Sequence, residues 1–129
     1  MHIQKKYLKH VFLGLVFLYG VFSYAPHASA ASITFVPSVS SGSVGDTIRI
    51  RVAVSSDSSI NAVSAKVSYP SEILSLTSIS KAGSIINLWA QEPSYSNSTG
   101  TATFEGVILN GYAGGGGTVV TLIFKAKAP

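Results

Sequence analysis

Apolar and polar side chains alternate over several short stretches of this chain. From Thr47 to Val54, Ile48, Ile50, Val52 and Val54 alternate with Thr47, Arg49, Arg51 and Ala53, the period-two pattern of a strand with one wet face. Gly45-Asp46 just ahead of it predicts a turn. Val63, Ala65, Val67 and Tyr69 share one face of a second strand against Ser64, Lys66 and Ser68, and Pro70 ends it because proline cannot donate to a ladder. Leu74 and Leu76 are in phase but Ile79 is not, which predicts a bulge or bend near Thr77-Ser78. Ala102 to Leu109 is a further strand, with Phe104 and Ile108 on one side and Glu105 on the other. The last is the clearest: Val120, Leu122, Phe124 and Ala126 alternate with Thr121, Ile123, Lys125 and Lys127. A short opening strand at Ile33 to Val36 brings the count to six, and Ile85 to Ala90 supplies a possible seventh.

No stretch after residue 30 has helical periodicity. Short strands joined by Gly, Ser, Asn and Pro turns predict an all-β fold, a jelly-roll β-sandwich of about seven to nine strands. The Ser-rich spacers Ser38 to Ser43, Ser55 to Ser59 and Ser94 to Ser98 read as loops, and Gly114 to Gly117 as a flexible connection before the final strand. Ile50, Val52, Val67, Leu122 and Phe124 are the expected inward-facing core.

The N-terminus follows other rules. Lys5, Lys6 and Lys9 precede an uncharged apolar run from Val11 to Tyr24, and Ala28-Ser29-Ala30 then offers the small residues a signal peptidase reads. Residues 1–30 therefore read as a signal peptide cut before Ala31, leaving one domain over 31–129. Fourteen residues from Val11 to Tyr24 fall short of the roughly 20 a membrane-spanning helix needs, so a cleaved leader is favoured over an anchor. The expected location is secreted, extracellular or at the cell surface, with no membrane association after cleavage.

Removing that leader changes the charge picture. The whole chain carries a formal +4 with nine basic and five acidic residues. Three of those basic residues, and all three histidines, lie in the leader. Six cations against five anions leave about +1, so nucleic acid, which demands clustered cations, is not an expected partner. The chain has no cysteine, which fits an exported bacterial protein whose core needs no disulfide staples.

Without His or Cys after residue 30, there is no Ser-His-Asp triad, no thiol nucleophile and no ordinary zinc site. Neither a metal nor any other cofactor is expected. A carboxylate pair for glycoside hydrolysis needs two acids about 5 to 10 Å apart across a cleft. Asp46, Asp57, Glu72, Glu92 and Glu105 are scattered over turns, a Ser loop and a strand face, so the chain reads as no enzyme. Gly114 to Gly117 lacks the Lys-Ser or Lys-Thr of a phosphate loop. Asn97-Ser98-Thr99 matches a glycosylation acceptor, but in such a chain a polar turn is the better reading.

The aromatics are the remaining chemistry. Trp89, Tyr95 and Tyr112 lie in or beside the loop-rich stretch from Ser84 to Gly115, where a flat exposed ring could stack on a sugar face. Core packing is the competing role, since Trp and Tyr combine an apolar body with a polar tip. Tyr69, in phase with Val63 and Val67, is assigned to the core.

Taken in order, Val44-Gly45-Asp46-Thr47, Ile60 to Tyr69 with its Val-Ser-Tyr-Pro ending, Leu74-Ser75-Leu76, Gly83-Ser84-Ile85-Ile86, Thr103-Phe104-Glu105-Gly106 and Leu122 to Lys127 resemble the cohesin domain. The resemblance spans most of residues 33–127. It implies a jelly-roll, non-catalytic binding module of secreted or surface-attached polysaccharide-degrading systems. Dockerin-binding members of that family carry Asn and Asp seven and five residues before the strand tyrosine, and an Asp after it. Aligned on Tyr69, this chain has Ala62, Ser64 and Pro70 instead.

The combined expectation is a secreted cohesin-like module that binds carbohydrate in polysaccharide attachment or breakdown, with Trp89, Tyr95 and Tyr112 as ligand contacts. The alternative is a protein-binding module of dockerin or surface-assembly type. The partner is accordingly a polysaccharide or a cell-surface protein. A sugar site predicts aromatics in a shallow groove; a dockerin site predicts a flat, polar sheet face.

Overall fold

A computed structural model describes residues 31–128; the expected leader lies outside them. The described chain is antiparallel β structure without helix. It has five strands: β1 (Ala31–Pro37), β2 (Thr47–Ser68), β3 (Leu74–Ser80), β4 (Leu88–Ser96) and β5 (Thr101–Ala126).

Two of these are far longer than the sequence pattern predicts, and they make the architecture. Thr47 to Ser56 of β2 pairs with Gly114 to Lys125 of β5, whereas Ile60 to Ser68 pairs with Thr101 to Tyr112. Register shifts between Val52 and Ala53, and again around Ser56, Ile60 and Ala62, separate the halves. Extra residues on one side of a ladder bend and twist it. The β2–β5 ribbon thus contributes to both layers of a β-sandwich. One layer runs β1, first half of β2, second half of β5, β3; the other runs second half of β2, first half of β5, β4.

Ser55 to Ser59 and Gly114 to Gly117 therefore lie inside strands rather than in loops, and Ser94 to Ser96 belongs to β4. Neither spacer carries the alternating apolar side chains that mark a strand. The expected strand at Ile85 to Ala90 is displaced to Leu88–Ser96. Ile85 and Ile86 instead turn inward: the Ile85 amide donates to the Thr118 carbonyl at 2.8 Å, and Ile86 presses so closely on Gly106 that any β-carbon there would collide with it.

The core lies between the layers. Phe104, Phe124, Leu76, Leu122, Val52, Val54, Val119 and Val120 are fully buried, with Ile50 and Val67 partly buried against them. All five expected core positions therefore face it. Even-numbered residues point inward in both halves of β5, from Ala102 to Ile108 and from Val120 to Ala126. The bulge expected near Thr77-Ser78 is present as a register shift between Leu76 and Ser78. It keeps Leu74, Leu76 and Ile79 opposite Ala126, Phe124 and Leu122.

Candidate functional site

Alternation along the β2–β5–β4 layer sends one set of side chains into the core and the other to a broad outer face. Because directly opposed residues share a face, the register fixes that face in four rows. They are Ala62, Val107 and Leu88; Ser64, Glu105 and Gln91; Lys66, Thr103 and Ser94; Ser68, Thr101 and Ser96. The face is open, with Ala62, Ser64, Lys66, Leu88, Gln91 and Glu105 all exposed.

Its chemistry is graded. At one end Leu88 and Leu109 are 58% and 68% exposed, beside Ala62 and Val107. The Leu109 amide donates to Asn87 Oδ1 at 2.9 Å, which ties this stretch of β5 to the segment just before β4. The middle holds Lys66 and Glu105, whose side chains have no hydrogen-bond or ion-pair partner among the described residues. The far end is hydroxyl-rich: Ser94 and Thr103 lie 3.2 Å apart, and Gln91 Nε2 donates to Thr103 Oγ1 at 3.4 Å. Strand backbone holds every one of these groups except Asn87, which lies just before β4.

The three aromatics proposed as sugar contacts are placed elsewhere. Trp89 and Tyr95 oppose Gly106 and Ala102, so both project toward the inner side of the layer. Trp89 packs against the core, with the Lys81 ammonium 5.8 Å from its ring centroid. That ammonium is also 2.7 Å from Glu92 Oε2. Tyr95 is 41% exposed and donates its hydroxyl to the Thr77 carbonyl at 2.8 Å, bridging β4 to β3. Tyr112 lies over the glycine run, its hydroxyl donating to the Gly115 carbonyl at 3.0 Å.

An open apolar cleft of about 170 Å³ is lined by Phe35, Ile50, Val67, Tyr69, Pro70, Leu74 and neighbours. None of the three predicted rings reaches it. Tyr69 is core, as predicted, meeting Phe124 edge to face at 5.1 Å. Burial, and secondarily the neighbouring Tyr95, push its hydroxyl above the usual tyrosine range. Asn97 forms part of a polar turn, its amide nitrogen donating to the Leu76 carbonyl. Among the described residues no three His, Asp or Glu side chains gather to hold a metal.

Of the outer face, sequence reasoning had picked out Ser64, Lys66 and Ser68 as the polar side of their strand, Ala62 and Ser64 by alignment, and Glu105 as a lone strand acid. Leu88, Gln91, Val107 and Leu109 were missed. The odd-numbered series from Thr101 to Leu109 was the available signal, but only the pairing with β2 and β4 turns it into a surface.

The fold is thus a β-sandwich that presents an open, registered sheet face. The Cohesin domain family matches residues 33–129, and the chain belongs to that family. Its fold is similar to a chain in the crystal structure of a type II cohesin–X–dockerin complex from Acetivibrio cellulolyticus, an N-terminal interface mutant, with a TM-score of 0.55 and 16% identity over 77% of this chain and 72% of the other. No curated protein matches the chain.

Proposed function

We propose that this chain is a non-catalytic, protein-binding cohesin module, and that it receives a dockerin-type partner on the outer face of the β2–β5–β4 layer. One observation carries the assignment: four rows of three outward side chains form an open, mostly polar surface on three adjacent strands, with Lys66 and Glu105, unpaired among the described residues, at its centre. Family membership and the cohesin–dockerin complex to which the fold is similar support a protein partner over a polysaccharide. For the carbohydrate reading, the apolar cleft beside Phe35 is lined by none of the three predicted rings.

The partner must be chosen by chemistry other than that of the usual family pair, because Ala62 and Ser64 stand where Asn and Asp would hydrogen-bond it. Leu88 and Leu109 supply the apolar anchor and Glu105 and Lys66 the charged contacts. Buried apolar anchors dominate interface energies while rim charges set orientation and rate. Export with cleavage after Ala30 would place this surface outside the cell, and the intact mass of secreted protein tests that step.

The test of binding is a pull-down against a panel of dockerin modules and insoluble polysaccharides. Leu109→Asp should abolish capture of the dockerin and leave the melting temperature unchanged. Retention on polysaccharide with no dockerin bound would overturn the assignment.

A further inference from the structure

Among the described residues the sandwich has several free strand edges, and those other than β1 carry charged or covering side chains that discourage pairing. Unpaired edges are templates for another strand, and charge, proline or covering groups normally block them. At β3 the side chains of Asn97 and Tyr95 occupy backbone groups of Leu76 and Thr77. The β4 edge contains Glu92 and Pro93, and the second half of β2 contains Lys66.

β1 differs. Among the described residues it ends the sheet order and contacts no strand but β2, and none of its seven residues ASITFVP has a charged side chain. Ile33, Phe35 and Val36 are 42%, 53% and 42% exposed. Ile33 and Phe35 oppose Val54 and Val52, so they extend the inner, apolar side of the layer. Phe35 forms the lip of the apolar cleft that continues to Ile50, Val67 and Leu74.

A second copy of the same uncharged, apolar edge fits the backbone parity of β1. The Ser38 amide donates to Arg49, which continues the β1–β2 register. Even-numbered residues of β1 thus direct their backbone groups to β2, and Ala31, Ile33, Phe35 and Pro37 direct theirs outward. An antiparallel copy centred on Thr34 opposes Ile33 to Phe35 and Ala31 to Pro37, which satisfies this parity along the whole strand. Pro37, lacking a donor, falls at the end of the ladder, where it sacrifices least. Ile33 and Phe35 then meet Phe35 and Ile33 of the second copy on one continuous apolar side.

We propose that β1 is a homodimerisation edge, at which a second copy of this chain pairs antiparallel about a two-fold axis at Thr34. The pairing is isologous and consumes the edge, so it stops at two copies. It uses the layer opposite the proposed dockerin face, so the two associations are independent.

The experiment is sedimentation velocity on protein purified from cells expressing the full 129-residue chain, across micromolar to millimolar concentration. A reversible monomer–dimer equilibrium is expected. Thr34→Lys places like charges opposite each other at the axis, and Ile33→Pro removes an outward donor without touching the β2 ladder. Each should raise the dissociation constant at least tenfold while the thermal midpoint at low concentration stays that of the parent. A parent that remains monomeric throughout, forms open-ended aggregates, or dimerises equally well as both variants overturns the proposal.

Discussion

Asn97 acts as a short stretch of strand for Leu76: its Oδ1 accepts the Leu76 amide at 2.8 Å and its Nδ2 donates to the Leu76 carbonyl at 3.0 Å. The same Oδ1 accepts the Tyr69 hydroxyl at 2.8 Å. One side chain from the turn after β4 therefore joins β3 to the end of β2 across the open side of the sandwich. Asn97→Ala should cost about 1–3 kcal/mol, because it strands part-buried polar groups rather than merely removing a bond. The urea midpoint reads it; a change below a few tenths of a kcal/mol would mean that water replaces the amide.

Tyr69 gives stability a pH dependence of known sign. Its folded pKa is raised above the ordinary value of 10.0, so below pH 10 both states hold the proton and its contribution is complete. As pH rises past that value the unfolded chain ionises first, and stability falls until the folded hydroxyl itself ionises. Urea midpoints from about pH 9 to 11 should decline more steeply for the parent than for Tyr69→Phe, which has no hydroxyl to titrate. Equal slopes would exclude Tyr69 as the source.

How much of this was legible in the sequence depends on where side chains carry the signal. Thr47 to Val54 and Val120 to Ala126 could be read because each inward position is large and apolar. The bulge near Thr77 showed itself as a phase slip in Leu74, Leu76 and Ile79. The middles of β2 and β5 could not be read: Ser and Gly have no apolar face, and Ser56 pairs with Gly114 and Val54 with Gly117 only because the flanking strands bring them together. The outer face was hidden for a similar reason, since a row such as Ser64, Glu105 and Gln91 exists only through cross-strand register. The aromatics have loop-forming neighbours in sequence, while their partners in space are core and backbone.

Phe124 and Lys125 test the register of the final strand. Phe124 is 1% exposed and packs on Tyr69, whereas Lys125 points outward. Phe124→Ala should cost about 3 to 5 kcal/mol through lost burial and the cavity left behind. Lys125→Ala should cost under ~0.5 kcal/mol. Similar shifts in the urea midpoint for the two variants would mean that the strand presents its other face to the core.

Tyr112 and Gly117 test whether the glycine run is a connection or a seat. A β-carbon on Gly117 would lie 2.6 Å from Tyr112 Cζ and 2.9 Å from Cε1, so the ring occupies the space a side chain would need. Gly117→Ala must displace the ring or the strand, and overpacking of this kind typically costs about 1–3 kcal/mol. Tyr112→Ala removes the same contact from the other side and loses the hydroxyl bond to Gly115. If the ring is seated on the strand, each change lowers the thermal midpoint, and the double variant falls short of the sum because the second change finds the contact already gone. A Tyr112→Ala variant that melts like the parent would instead release this ring from its structural role and make it available to a ligand.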